Sequence, residues 1–167
     1  MPSFYPATPE DTPAVLELND SEVQWTSPMD RERLEYLAGL AAYYKVVRID
    51  HTPVGFMLAM SNDSAYSNAN FNWFSQRYSE FLYVDRIVVA ASQAGRGIGR
   101  MFYQDAIEQA RRMGLNRIVC EISLKPMNEL SMRFHQRLGF NEVGRQTLVA
   151  GGKCVSMQCL RMETMNR

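Results

Sequence analysis

What is scarce in this chain narrows its function first. Histidine occurs twice and cysteine three times in 167 residues, and no two cysteines form a CxxC pair. That is too little imidazole and thiolate at ligand spacing for a zinc site, so no metal is expected. Charge of one sign is lacking as well: 18 Lys and Arg oppose 18 Asp and Glu, a formal net charge of zero. No basic excess advertises nucleic acid as a partner. No apolar run approaches the roughly 20 residues needed to cross a bilayer, so no membrane partner is expected. The opening "MPSFYPATPED" has no basic stretch followed by an apolar one, the pattern of a secretory leader. Cys120, Cys154 and Cys159 are therefore expected as free, core-forming thiols of a cytoplasmic protein. Repeats, low-complexity segments and linkers are missing too, which leaves one domain over residues 1–167 as the expectation.

Hydrophobic residues, by contrast, make up 46% of the chain, enough for a substantial core. "SFYPAT" reads as a short strand. "PEDTPAVLELNDSEV" follows with proline and acidic residues in its first turn, the start of a helix. "SPMDRERLEYLAGLA" is a second helix, with Leu34, Leu37 and Leu40 on one broad face. "YYKVVRI" and "VGFMLAMS" form a hairpin about "DHTP", which places His51 in a solvated turn. "SNDSAYSNANFNWFSQRYSE" reads as a long irregular stretch, of a length that is usually functional or disordered. "FLYVDRIVVA" is the strongest strand. After it comes a helix with Ile98, Phe102, Ala106, Ala110 and Met113 on one face and Arg111 and Arg112 at its end. "NRIVCEISL" is a strand, Asn128 opens a helix that Gly139 closes, and two strands follow about a Gly-Gly turn. The order mixes hairpins with one strand–helix–strand crossover. It predicts a mixed α/β (α+β) fold with one sheet and helices on both faces.

Gly95, Gly97 and Gly99 stand at alternate positions between the strongest strand and its helix. Glycines let a ligand approach the backbone closely. The first N–H groups of a helix lack internal partners and point at whatever sits there, so this turn is shaped for a phosphate or pyrophosphate. A dinucleotide fingerprint would need glycine at position 100, which is Arg100, and no Gly-Lys-Ser/Thr of a P-loop occurs.

"GRGIGRMFYQDAIEQARRMG" resembles the acyl-CoA pyrophosphate loop of the GNAT superfamily of N-acetyltransferases. The family motif Gln/Arg-x-x-Gly-x-Gly/Ala falls on Ala94, Gly95, Arg96, Gly97, Ile98 and Gly99. Ala94 departs from it. Either Gln93, one residue earlier, substitutes, or the backbone alone suffices. The resemblance extends along nearly the whole chain, through "DRIVV" before the loop and "CEISLKPMNELSMRFHQRLGFNEVG" after it. It implies a central mixed, mostly antiparallel sheet of about seven strands. It also implies acetyl-CoA as acyl donor, bound in an opening between the strand ending at Val89 and the strand around Cys120 to Leu124. Ile87, Val88 and Val89 would meet the pantetheine arm, and a backbone N–H near Val89 would polarise the thioester carbonyl. Gln93, Arg96, Gly97, Gly99 and Arg100 would surround the pyrophosphate, and many relatives are homodimers.

The implied reaction is direct attack by an amine on the thioester in a ternary complex. A lysine-like amine has a pKa of about 10.4, so its proton must be accepted, and a thiolate with a pKa of about 8.5 must leave. Where the family usually has a tyrosine as acid, seven residues after the helix-opening asparagine, this chain has His135. It is either the acid or a packing residue beside CoA. Asn128 either contacts the cofactor arm or only caps its helix. Candidate bases are Glu121, a charge amid "IVCEI" that is costly to bury unless paired or used, and Asp85, with Tyr83 beside it on the same strand side. Glu121 or Asp85 could instead be spent on an ion pair with Arg86. In the irregular stretch Trp73, Phe74 and Tyr78 are candidates to wall the acceptor pocket, or are covered by it. The acceptor is expected to be a small-molecule amine such as an amino acid. A protein amine, or a non-catalytic acyl-CoA-binding regulatory module, are the alternatives.

Overall fold

The computed structural model describes residues 2–148 and 152–163. Its strands are β1 (Ser3–Pro6), β2 (Tyr43–Ile49), β3 (Thr52–Ser61), β4 (Leu82–Val89), β5 (Arg117–Lys125), β6 (Asn141–Thr147) and β7 (Cys154–Arg161). The helices are α1 (Thr12–Ser21), α2 (Arg31–Leu40), α3 (Ala69–Ser75), α4 (Ile98–Arg112) and α5 (Glu129–Leu138). The seven strands form one mixed sheet in the order β1-β2-β3-β4-β5-β7-β6. β1–β2, β2–β3, β5–β7 and β6–β7 are antiparallel, while β4 and β5 run parallel with Leu82 opposite Ile118 and Tyr83 opposite Val119.

The chain divides into two compact units: Met1–Met60 with Val84–Ala106, and Ser61–Tyr83 with Ile107–Arg167. In the first, α1 and α2 bury Val15, Leu34 and Leu37, and β2 and β3 bury Val46, Val47, Phe56 and Leu58. Asp105 of α4 ties that helix to β2, accepting from Tyr43 Oη at 2.6 Å and Lys45 Nζ at 2.7 Å. Burial, and then the carboxylate of Asp105, push the Tyr43 phenol far above its usual range, so it stays a donor. The β2–β3 turn puts Asp50 and His51 at positive φ (50° and 67°), as a tight hairpin requires, with His51 exposed.

In the second unit the stretch after β3 is not irregular throughout. Asn68 accepts from Phe71 N–H at 2.7 Å and starts α3. Phe71 and Phe74, three apart, are its buried face, a short periodicity that the surrounding serines and asparagines mask. Asn62 clasps the ends of the connection, its amide donating to Phe81 O at 3.1 Å and its Oδ1 accepting from Phe81 N–H at 3.2 Å.

Two further expectations are revised. Met113 is 37% exposed at the C-terminal end of α4, where its N–H still bonds Gln109 O at 3.1 Å but its side chain lies outside the core. β6 ends at Thr147; Val149, Ala150 and Gly151 lie outside the described residues. No disulfide joins Cys120, Cys154 and Cys159, and Cys120 and Cys159 are buried.

Candidate active site

The glycine turn belongs to the first unit. Ala90 N–H donates to Val54 O at 2.8 Å, which fixes where β4 ends. A 3₁₀ turn over Ala91–Gln93 leads into Gly95 (φ +79°) and Gly97 (φ +77°). Both sit in the left-handed region that other residues avoid. α4 then starts at Ile98, and Met101 N–H reaches back to Gly97 O at 3.0 Å. The N–H groups ahead of Met101 have no carbonyl within the helix to bond. The first turn of α4 carries no acidic residue to compete for them.

Two observations test this cradle against an acyl-CoA pyrophosphate. A Cβ placed on Gly95 or Gly97 would meet nothing within 4 Å, so the space above both is open. Gln93 has a buried Oε1 with no hydrogen-bond partner, an acceptor that could meet a donor of the ligand but not its phosphate oxygens. The residues fit the group through the backbone: N–H donors at the start of α4 and an open approach above Gly95 and Gly97. Ala94, Arg96 and Arg100 are exposed around the turn, and Ile87, Val89 and Gly99 are half-buried. Val88 and Ile98 are buried, so their side chains anchor the turn and only their backbone can serve a ligand.

Asp85 lies in the same unit and is committed to Arg86 at 2.8 Å, both side chains being 4% exposed. Arg86 also donates to Asn19 Oδ1 and Ser27 O, each at 3.1 Å, and to Ser27 Oγ at 3.0 Å. The Asp85–Arg86 ion pair that the sequence allows therefore forms. Arg86 ties β4 to α1 and to the segment after it.

Glu121 belongs to the second unit and is half-buried on β5. Its carboxylate accepts from the hydroxyl of Tyr83, whose ring is fully buried, at 2.8 and 3.0 Å. This is a charge-assisted bond from neighbouring parallel strands. A buried tyrosine thus orients the carboxylate, a group that can accept at both of its oxygens.

His135 lies in α5, which Asn128 caps by accepting from Ser131 N–H at 3.2 Å, confirming the cap. The imidazole is 4% exposed, between the edges of Phe134 and Phe140. Its Nδ1 stands 2.8 Å from Ser131 O, an acceptor only, so Nδ1 carries the proton and donates it there. Burial lowers the pKa of the ring to about 4, with the Ser131 bond opposing weakly. At neutral pH the ring is neutral. Unfolding releases it to a pKa of about 6.5, so the unfolded chain binds the extra proton as pH falls below that value and stability drops. Between pH 7 and pH 5 the wild type should therefore lose about 2 kcal/mol more stability than His135→Phe, measured by urea denaturation at each pH. Equal losses would mean the ring titrates normally in the folded protein.

Of the aromatic candidates of the connection, Trp73 and Tyr78 are half-buried and Phe74 is buried. Phe74 is fully buried beside Phe81 and Tyr83. Tyr78 lies under the guanidinium of Arg117 at 4.4 Å. Trp73 lies under Arg77 at 3.7 Å and against Gly144. Gly144 carries a signal of its own in the sequence: an isolated glycine inside a strand pattern marks a bulge or a close approach.

Among the described residues no helix is long and apolar enough to cross a membrane, and no cluster of three or more metal-ligand side chains occurs. The acetyltransferase (GNAT) family model matches residues 11–140. None of the curated proteins matches the chain in sequence. Solved structures do match in fold. The ribosomal-protein-S18-alanine N-acetyltransferase of Escherichia coli is 13% identical, with a TM-score of 0.73 over 100% of this chain and 97% of that one. Ard1 of Thermoplasma volcanium is 13% identical, with a TM-score of 0.78 over 98% and 99%. The yncA protein of Salmonella typhimurium, solved with its cofactor acetyl-CoA, is 18% identical, with a TM-score of 0.73 over 100% and 97%. With the seven-stranded mixed sheet, the glycine turn opening α4 and a family match over most of its length, the chain belongs to the GNAT family of acetyltransferases.

Proposed function

We propose that this GNAT enzyme moves the acetyl group of acetyl-CoA to the amine of a small molecule, with Glu121 receiving the amine's proton. The observation that carries the proton assignment is the Tyr83–Glu121 pair: a half-buried carboxylate on β5 whose two oxygens stand 3.0 and 2.8 Å from the Tyr83 hydroxyl. A neutral amine attacks the thioester carbonyl, whose oxygen becomes negative as the new C–N bond forms. The amine proton passes to Glu121, directly or through water. The tetrahedral intermediate collapses with loss of the CoA thiolate, a leaving group stable enough, at a pKa of about 8.5, to take its proton from solvent. We read His135 as a packing residue, because its proton is given to Ser131 O and its burial opposes a second one. Asp85 is read as structural for the same kind of reason, its carboxylate being spent on Arg86.

A balanced surface charge supports a small acceptor over a strongly charged macromolecule. The three cysteines, joined by no disulfide, support a reducing, cytoplasmic setting. A protein amine is the second reading, favoured by the likeness to an N-acetyltransferase of a ribosomal protein. A thermal-shift series followed by an amine panel tests the whole. Acetyl-CoA at a hundredfold excess over its Kd should stabilise by about 2.7 kcal/mol, a Tm rise of roughly 5–10 °C, and NAD should not. Small amines should then turn over where N-terminal peptides do not; the reverse pattern selects the protein acceptor.

A further inference from the structure

The connection that carries α3 covers the sheet face on which Glu121 stands. Glu121 pairs with Met157 across β5–β7, and Met157 pairs with Gly144 across β7–β6. Directly opposed residues project to one face, so the three form a single row. At its β6 end the row has no side chain, and Trp73 of α3 occupies the space. A Cβ on Gly144 would lie 2.4 Å from Trp73 Cζ2 and 2.7 Å from Cη2, far inside carbon–carbon contact. The strand register shifts between Glu142 and Gly144, a bulge at the seat of the ring. Arg77 stacks on the indole and donates to Trp73 O at 2.9 Å. Beside it, Gln146 Nε2 donates to Asn70 Oδ1 at 2.9 Å. From the same helix Phe71 and Phe74 pack on the ring of Tyr83, with centroids at 5.6 and 6.1 Å. Tyr83 in turn holds Glu121.

We propose that Trp73, seated over Gly144, is a lock that sets the Tyr83–Glu121 pair, which makes Gly144 and Trp73 positioning residues for the proton acceptor. The inference rests on the reading of Glu121 as that acceptor. α3 is then a fixed wall and not a lid. Its docking on β6 fixes Phe71 and Phe74, these fix the Tyr83 ring, and the ring fixes a hydroxyl that orients the carboxylate. A displacement of about 1 Å carried along this chain of contacts can cost on the order of 10²-fold in rate.

Gly144→Ala and the double variant Gly144→Ala/Trp73→Phe test it, with Glu121→Gln measured in parallel. Phenylalanine lacks the two ring atoms that the new methyl group meets. Gly144→Ala should lower kcat by roughly 10–100-fold with acetyl-CoA affinity kept, and the double variant should recover most of that loss. A merely structural contact would change Tm in both variants and leave kcat alone. A folded Gly144→Ala protein with wild-type kcat, or a kcat loss that the double variant does not recover while Tm recovers, overturns the lock. Should Gly144→Ala fail to fold, Gln146→Leu loosens the same docking from the side, and a fall in Tm without any fall in kcat then overturns it. If Glu121→Gln is as active as wild type, the acceptor reading falls, and the lock is judged by hydrogen exchange of the Val119–Ser123 amides. Faster exchange in Gly144→Ala that the double variant reverses upholds it; unchanged exchange overturns it.

Discussion

Replacing Glu121 with glutamine should lower kcat by about 10²–10³-fold while leaving acetyl-CoA affinity within about twofold of wild type. Glutamine keeps the shape of the side chain and an oxygen that accepts from Tyr83, so the local packing survives. What it loses is the capacity to take a proton. A neutral amine is scarce at pH 7, and without a proton acceptor the ammonium formed on attack must shed its proton to bulk water while the thiolate departs. Acetyl-CoA affinity is the internal control, because the turn assigned to the pyrophosphate belongs to the other compact unit of the chain. Tyr83→Phe should cost less, about 10–100-fold, in line with the 1.5–3 kcal/mol carried by a hydrogen bond to a charged group. Steady-state kinetics in saturating acetyl-CoA checks both, and wild-type turnover by Glu121→Gln would move the proton to another group.

The second large effect is expected at Gly97. Valine there must adopt a φ of +77°, which costs a branched residue on the order of 1–3 kcal/mol, or the turn must change shape. No atom lies within 4 Å of the new Cβ, so the folded protein tolerates the added volume. The volume goes into the open space through which a phosphate would approach the N–H groups at the start of α4. Gly97→Val should therefore raise the Kd of acetyl-CoA by about 10²-fold, and the KM with it, while kcat at saturation changes far less. Isothermal titration decides it. An unchanged Kd would take the pyrophosphate away from this turn.

Both variants probe features that local chemistry makes visible in the sequence. Glycines at alternate positions between an apolar β-branched run and an amphipathic helix have few other uses, and Gly95 and Gly97 do take the left-handed conformation. Asn128 as a cap and Gly139 as a stop were equally legible, because caps depend on residues within one turn. Glu121 stood out as a charge in an apolar strand, but its partner did not. Tyr83 lies 38 positions away and meets it only through strand pairing. The same holds for Arg86, whose choice of Asp85 follows from the packing of Asn19 and Ser27 around it. α3 was hidden because seven residues with only two buried rings give little helical periodicity. The role of Trp73 depends on a missing side chain across the sheet, at Gly144, which no local pattern reveals. His135 shows the limit of reading a residue type alone: histidine can serve as an acid, but burial between two phenylalanines and a bond to Ser131 O leave it a neutral ring.

The most direct measurement follows the acetyl group itself. Wild-type protein is given acetyl-CoA labelled in its acetyl carbonyl together with a panel of small amines, and thiol release and the fate of the label are recorded together. One labelled amide should form for each thiol released, with no label on Cys120, Cys154, Cys159 or any other side chain, and both signals should fall together in Glu121→Gln. Acetyl-CoA that binds and stabilises the fold but labels no amine, small or peptidic, would contradict transferase chemistry at this site and leave an acyl-CoA-binding module in its place.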